Sequence, residues 1–69
     1  MINVRINEVL SQKDKSIYWL AEQSGLAYPT VFNLVKNKTA SISFDTLDKI
    51  MKALEIKDIN KIIEYKEKD

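Results

Sequence analysis

Apolar residues alternate with polar ones at the two ends of this chain and recur at helical spacing between them. Ile2 and Val4 alternate with Asn3 and Arg5, which predicts a short opening strand. Ile63 and Tyr65 alternate with Glu64 and can pair with Ile2 and Val4 as a two-stranded ribbon. Inside these ends, Ile6, Val9 and Leu10 mark one face of a first helix reaching toward Lys13, with Asn7 as its expected cap. Asp14 and Lys15 form a polar link. Ser16 caps a second helix, with Leu20 and Ala21 pointing inward and Ser24-Gly25 at its end. A third helix is expected over Tyr28–Lys36, with Ala27 at its cap. Pro29 is tolerated there because the first turn does not need its N–H. The polar stretch from Asn37 to Ser43 reads as a loop. Ser43 then caps a fourth helix through Leu54, with Asp45 in its favourable first turn. Phe44, Leu47, Ile50, Met51 and Leu54 are its expected inner stripe. Asp58 caps a short fifth helix containing Ile59, Ile62 and Ile63, and a charged tail follows from Glu64.

The joint between the second and third helices is the most informative place in the chain. Gly25 is the only glycine. It ends a helix readily because it takes the left-handed conformation without a Cβ clash. Two helices joined by a turn of about three to four residues with glycine form a helix-turn-helix, here over residues 16–36. That arrangement presents its second helix outward, where it can enter a DNA groove. At about 100° per residue, Val31 and Leu34 share a face with Leu26 below them. Pro29, Phe32, Asn33 and Lys36 take the opposite face, with Tyr28 and Thr30 at its edges. A helix of this length, about 13 Å, is comparable with the roughly 12 Å width of the major groove. Leu20, Val31, Leu34, Leu47, Ile50 and Leu54 are expected in the core.

Composition narrows the chemistry. A chain of 69 residues is one domain with a small core, and a dimer is the plainest further source of stability. There is no cysteine and no histidine. Disulfide scaffolds, nucleophilic triads, histidine bases and most transition-metal sites therefore fall away. No apolar run approaches the roughly 20 residues of a membrane span, and no secretory signal is recognised. The expectation is a soluble, cytoplasmic protein that is not an enzyme and has no cofactor, metal or small-molecule ligand. A net charge of +1, from 11 basic and 10 acidic residues, says little about nucleic acid. The distribution says more: no acid lies between Glu22 and Asp45, a window that holds the third helix, Lys36 and Lys38. A face that must lie on phosphates would be arranged this way.

These residues together resemble the small Cro/C1-type (XRE-like) helix-turn-helix regulators. The resemblance rests on Leu20-Ala21, Ser24-Gly25-Leu26, Thr30-Val31, Leu34, Asn37-Lys38-Thr39, Ser41-Ile42, Thr46-Leu47, Lys49-Ile50 and Ala53-Leu54. It implies an all-α, compact five-helix lambda-repressor-like domain, here with the ribbon added. It also implies operator DNA as the partner, bound by a homodimer. The start of the second helix then approaches a phosphate, which places Ser16 and Ile17 there. The third helix supplies base contacts from Tyr28, Pro29, Phe32 and Asn33. Lys36, Lys38, Thr39, Ser41 and Ser43 hold the backbone. The chain departs from the family at Ile17, Trp19, Tyr28, Pro29 and Phe32, where polar side chains are usual. Asn37 stands where the family often has glycine, and asparagine also tolerates a left-handed conformation.

Each site residue has a functional and an ordinary reading. Asn33 either pairs bidentately with adenine, or is a solvated amide. Tyr28 and Phe32 either meet thymine methyl groups and sugars, or form a protein-binding surface. Thr30 supports the helix start or touches phosphate, and Pro29 acts only by shape. Thr39, Ser41 and Ser43 have hydroxyls for phosphate, although Ser43 is also a helix cap. Trp19, on the outward side of the second helix, lies under the tail, at a partner surface or beside the DNA backbone. Two functions follow. One is a sequence-specific transcriptional regulator, a repressor by simple occupancy. The alternative is a protein-binding module that uses Ile17, Trp19, Tyr28, Pro29 and Phe32 as one apolar patch to block a regulator or an enzyme.

Overall fold

Single side chains at the helix ends set the architecture. The computed structural model of the protein describes residues 1–39 and 41–67. The order is β1 (Ile2–Val4), α1 (Ile6–Lys13), α2 (Ile17–Ser24), α3 (Tyr28–Val35), α4 (Phe44–Leu54), a 3₁₀ turn (Ile59–Lys61) and β2 (Ile63–Tyr65). β1 and β2 pair antiparallel with Ile2 opposite Tyr65, Asn3 opposite Glu64 and Val4 opposite Ile63. This is the ribbon expected from the alternation at the two ends.

Ser16 accepts the Trp19 N–H at 3.0 Å and so starts α2. Gly25, with φ of 75°, ends it in the left-handed conformation. Ala27 precedes α3 without a side-chain cap, and Pro29 lies in the first turn, as expected. α3 ends at Val35, one residue earlier than expected, and Lys36 becomes its cap. Ser43 accepts the Thr46 N–H at 3.1 Å and starts α4. Three other helices end on left-handed residues that are not glycine: Asp14, Asn37 and Glu55. Each makes the paired backbone bonds of a Schellman ending. After α3, the Asn37 N–H reaches the Leu34 carbonyl at 3.1 Å and the Lys38 N–H reaches the Asn33 carbonyl at 2.8 Å.

The core is wholly apolar among the described residues. Ile6, Val9 and Leu10 of α1 meet Leu20 and Ala21 of α2, Val31, Leu34 and Val35 of α3, and Leu47, Ile50 and Leu54 of α4. Ile62 closes the cluster from the C-terminal side and is fully buried.

Three sequence expectations are corrected. There are four helices among the described residues, not five. Asp58 does cap, accepting the Asn60 N–H at 3.0 Å, but what it caps is only the 3₁₀ turn. Ile62 must enter the core while Ile63 and Tyr65 pair with β1, so the chain extends where a helix would continue. Asn7 is not the cap of α1. The helix starts at Ile6, and Arg5 stands at the cap without a side-chain bond to it. Arg5 is fixed from the ribbon side instead, since its N–H donates to the Ile62 carbonyl at 2.7 Å. Phe44 is not in the inner stripe of α4 but 90% exposed. Ile42, just before the Ser43 cap, packs on the core in its place. Ile42 and Leu47 occupy the N′ and N4 positions of a hydrophobic staple, which turns the first helical residue outward.

Candidate nucleic-acid interface

α3 buries Val31, Leu34 and Val35 against α2 and the rest of the core. Tyr28, Pro29, Thr30 and Asn33 are exposed and Phe32 is half-buried. α3 therefore offers its polar-groove candidates on one accessible face, as the helical spacing predicted. A helix of 8 residues is about 12 Å long. The Asn33 side-chain amide makes no hydrogen bond within the described residues, so both its donor and its acceptor are open.

The aromatic side chains form a row. The Tyr28 ring lies 6.0 Å from Phe32, one turn along α3. On the other side, Tyr28 lies 6.5 Å from Tyr18 of α2. Two ammonium groups approach Phe32, Lys36 at 5.8 Å and Lys38 at 5.9 Å from the ring centre. Such cation–π contact orients a long side chain without neutralising it. Lys36 and Lys38 form no ion pair among the described residues. The ion pairs lie elsewhere: Arg5 with Glu8 and Glu64, Lys66 with Glu64, and Asp45–Lys49 and Asp48–Lys52 along α4. Uncompensated positive charge therefore remains beside α3.

The remaining expected residues are dispersed around this row. Ser16 is exposed at the start of α2, with its oxygen engaged as the cap. Thr39 and Ser41 are exposed in the loop after α3. The Ser43 hydroxyl accepts from the Thr46 N–H and donates to the Thr46 hydroxyl at 2.9 Å, so it is occupied as a cap at both ends. Ile17 and Trp19 are half-buried and pack on the core, and Trp19 is not the outward residue that its position suggested. The Lys15 ammonium sits 5.2 Å from the Trp19 ring centre. The expected five-residue patch is thus divided: Ile17 and Trp19 turn toward the core, while Tyr28, Pro29 and Phe32 stay on the surface.

One residue, Tyr18, and one contact, made by Asn37, go beyond the sequence reading. Tyr18 is exposed and extends the aromatic row. Glu22, one turn on, raises the Tyr18 phenol above its ordinary value, first by hydrogen bonding and then by its charge. Tyr18 was legible in principle, since it lies two residues from Leu20 and so off the inward face of α2. Asn37 makes the contact. Its side-chain oxygen accepts the Val4 N–H at 2.6 Å and its amide donates to the Val4 carbonyl at 3.2 Å. The end of α3 is thereby tied to the ribbon.

Comparisons with known proteins bear on the fold and the family. A crystal structure of a Bacteroides fragilis protein, provisionally described as DNA-binding, is similar with a TM-score of 0.78 and 34% identity, covering 93% of this chain and 100% of that one. No curated protein matches the sequence. No helix among the described residues is long and apolar enough to cross a membrane. The family model of the Cro/C1-type helix-turn-helix DNA-binding domain matches residues 5–68, nearly the whole length, and the chain belongs to that family.

Proposed function

We propose that the protein is a sequence-specific transcriptional regulator that lays α3 in the major groove of operator DNA. It binds as a homodimer in the cytoplasm and represses by occupying promoter DNA. The observation that carries this reading is that Lys36 and Lys38, in no ion pair among the described residues, stand beside an exposed α3 face without acids. Tyr28, Pro29, Phe32 and Asn33 meet base edges. Lys36, Lys38, Thr39 and Ser41 hold the phosphates on one side of the groove, and the backbone N–H groups of Ser16 and Ile17 and the Thr30 hydroxyl do so where α2 and α3 begin. Ser43 contributes through the N-terminus of α4 rather than through its engaged hydroxyl.

A salt titration of duplex binding tests this. Log affinity should fall linearly with log salt, with a slope of about −0.9 for each phosphate neutralised. Lys38→Ala should weaken all duplexes alike and reduce that slope by about 1, whereas Asn33→Ala should relax the preference at one base pair. The aromatic row of Tyr18, Tyr28 and Phe32 favours one other reading, a protein-binding module. That reading takes over if binding to duplex DNA is absent or insensitive to salt.

A further inference from the structure

We infer that α3 reads A·T base pairs, chiefly through the C5-methyl groups of thymines in the major groove. The inference rests on the DNA-binding reading above and names the bases that this surface can recognise.

In the major groove, guanine is read by a two-donor cation, cytosine by a carboxylate, adenine by an amide and thymine by an apolar surface. The accessible face of α3 consists of Tyr28, Pro29, Thr30, Phe32, Asn33 and the flanking Lys36. It has no arginine, and the sequence has no acid between Glu22 and Asp45. Cytosine therefore has no carboxylate to pair with on this face. The cation flanking this face, Lys36, stands just past the helix end, with its ammonium 5.8 Å from the Phe32 ring centre. That position suits a phosphate at the groove edge better than a guanine at its floor.

What remains on the helix matches the two halves of one base pair. Asn33 has both amide groups open for adenine. Phe32, next to it in sequence, presents a ring to a methyl group, and Tyr28 presents another one turn away. The two rings are 6.0 Å apart, which lies between one and two steps of about 3.4 Å along a strand. Neighbouring thymines fall within their span. The aromatics that break the usual polar pattern of this family thus become the reading surface itself.

Deoxyuridine provides a test that leaves the protein unchanged, because it lacks only the methyl group of thymine. A preferred duplex is first selected from random sequence with the purified protein. Each thymine of a half-site is then replaced singly by deoxyuridine, and affinity is measured by fluorescence anisotropy at fixed salt. The expected result is an A·T-rich half-site in which one or two replacements each weaken binding about fourfold. Phe32→Ala, checked for native helical content, should bind thymine and deoxyuridine duplexes equally at one of those positions. A half-site of G·C pairs, or full affinity for every deoxyuridine duplex, overturns the inference and leaves the regulator reading intact. Tighter binding to the separated strands also overturns it, since the row would then be a stacking platform for unpaired bases. Absence of salt-dependent binding to any duplex overturns the regulator reading as well.

Discussion

Asn37 performs two structural tasks with one side chain. Its backbone turns left-handed to end α3, at φ of 59°. Its amide satisfies both backbone groups of Val4 on the face of β1 turned away from β2. The two tasks can be separated by substitution. Asn37→Gly keeps the turn and removes the amide, and should cost about 1 kcal/mol for two solvent-accessible hydrogen bonds. Asn37→Ala should cost about 1 kcal/mol more, because alanine resists the left-handed conformation and has no local hydrogen bond to offset it. Urea unfolding of the three proteins measures both steps. A glycine variant as stable as the native chain would show that the amide adds nothing beyond the turn. The left-handed tolerance of Asn37 is legible from residue type alone. Its tie to Val4 is not, because the partner lies 33 positions away and no local pattern signals it. The place of Tyr18 is hidden for a different reason: the spacing in α2 marks its inward face, and nothing local shows that the exposed ring lies 6.5 Å from Tyr28 of the next helix.

At the scale of elements, the helix endings predict opposite responses to glycine. Glu55 takes φ of 57° at the end of α4, where its side chain forms no ion pair among the described residues. Glu55→Gly should therefore stabilise the fold by about 0.5–1 kcal/mol, the left-handed strain relieved less the entropy glycine adds to the unfolded chain. At Gly25 an added Cβ meets no atom within 4 Å. Gly25→Ala should thus destabilise by backbone strain alone, about 1 kcal/mol. Thermal unfolding should move by several degrees in opposite directions for the two variants. Movement in the same direction would contradict the assignment of these endings. α2 and α4 are readable because the Ser16 and Ser43 caps and the apolar spacing point to the same boundaries, whereas α3, without a side-chain cap, is marked by Gly25 before it and Pro29 in its first turn. Spacing alone did not place Phe44, since a periodic stripe does not reveal where a staple formed by Ile42 and Leu47 turns the first residue out. The segment after Asp58 satisfies two periods at once. Ile59, Ile62 and Ile63 suit a helix, while Ile63-Glu64-Tyr65 suits a strand, and pairing with β1 decides the outcome.

Across the whole molecule, charge and shape are arranged around α3. Among the described residues the ion pairs gather on the ribbon, α1 and α4, and Lys36 and Lys38 take part in none of them. The protein measures 37 × 22 × 19 Å. Two copies that place their α3 helices in successive major grooves on one DNA face stand about 34–36 Å apart. If the 37 Å dimension lies along the duplex, that separation would bring neighbouring copies into contact. Half-sites one helical turn apart should therefore be occupied together, while isolated half-sites should bind more weakly. Inserting about five base pairs, half a turn, rotates the second copy to the far side and should remove the joint occupancy. Gel-shift titrations on the two spacings compare these cases directly. If both duplexes fill in two independent steps of equal affinity, the copies do not touch on DNA, and recognition by a single α3 must account for all of the specificity.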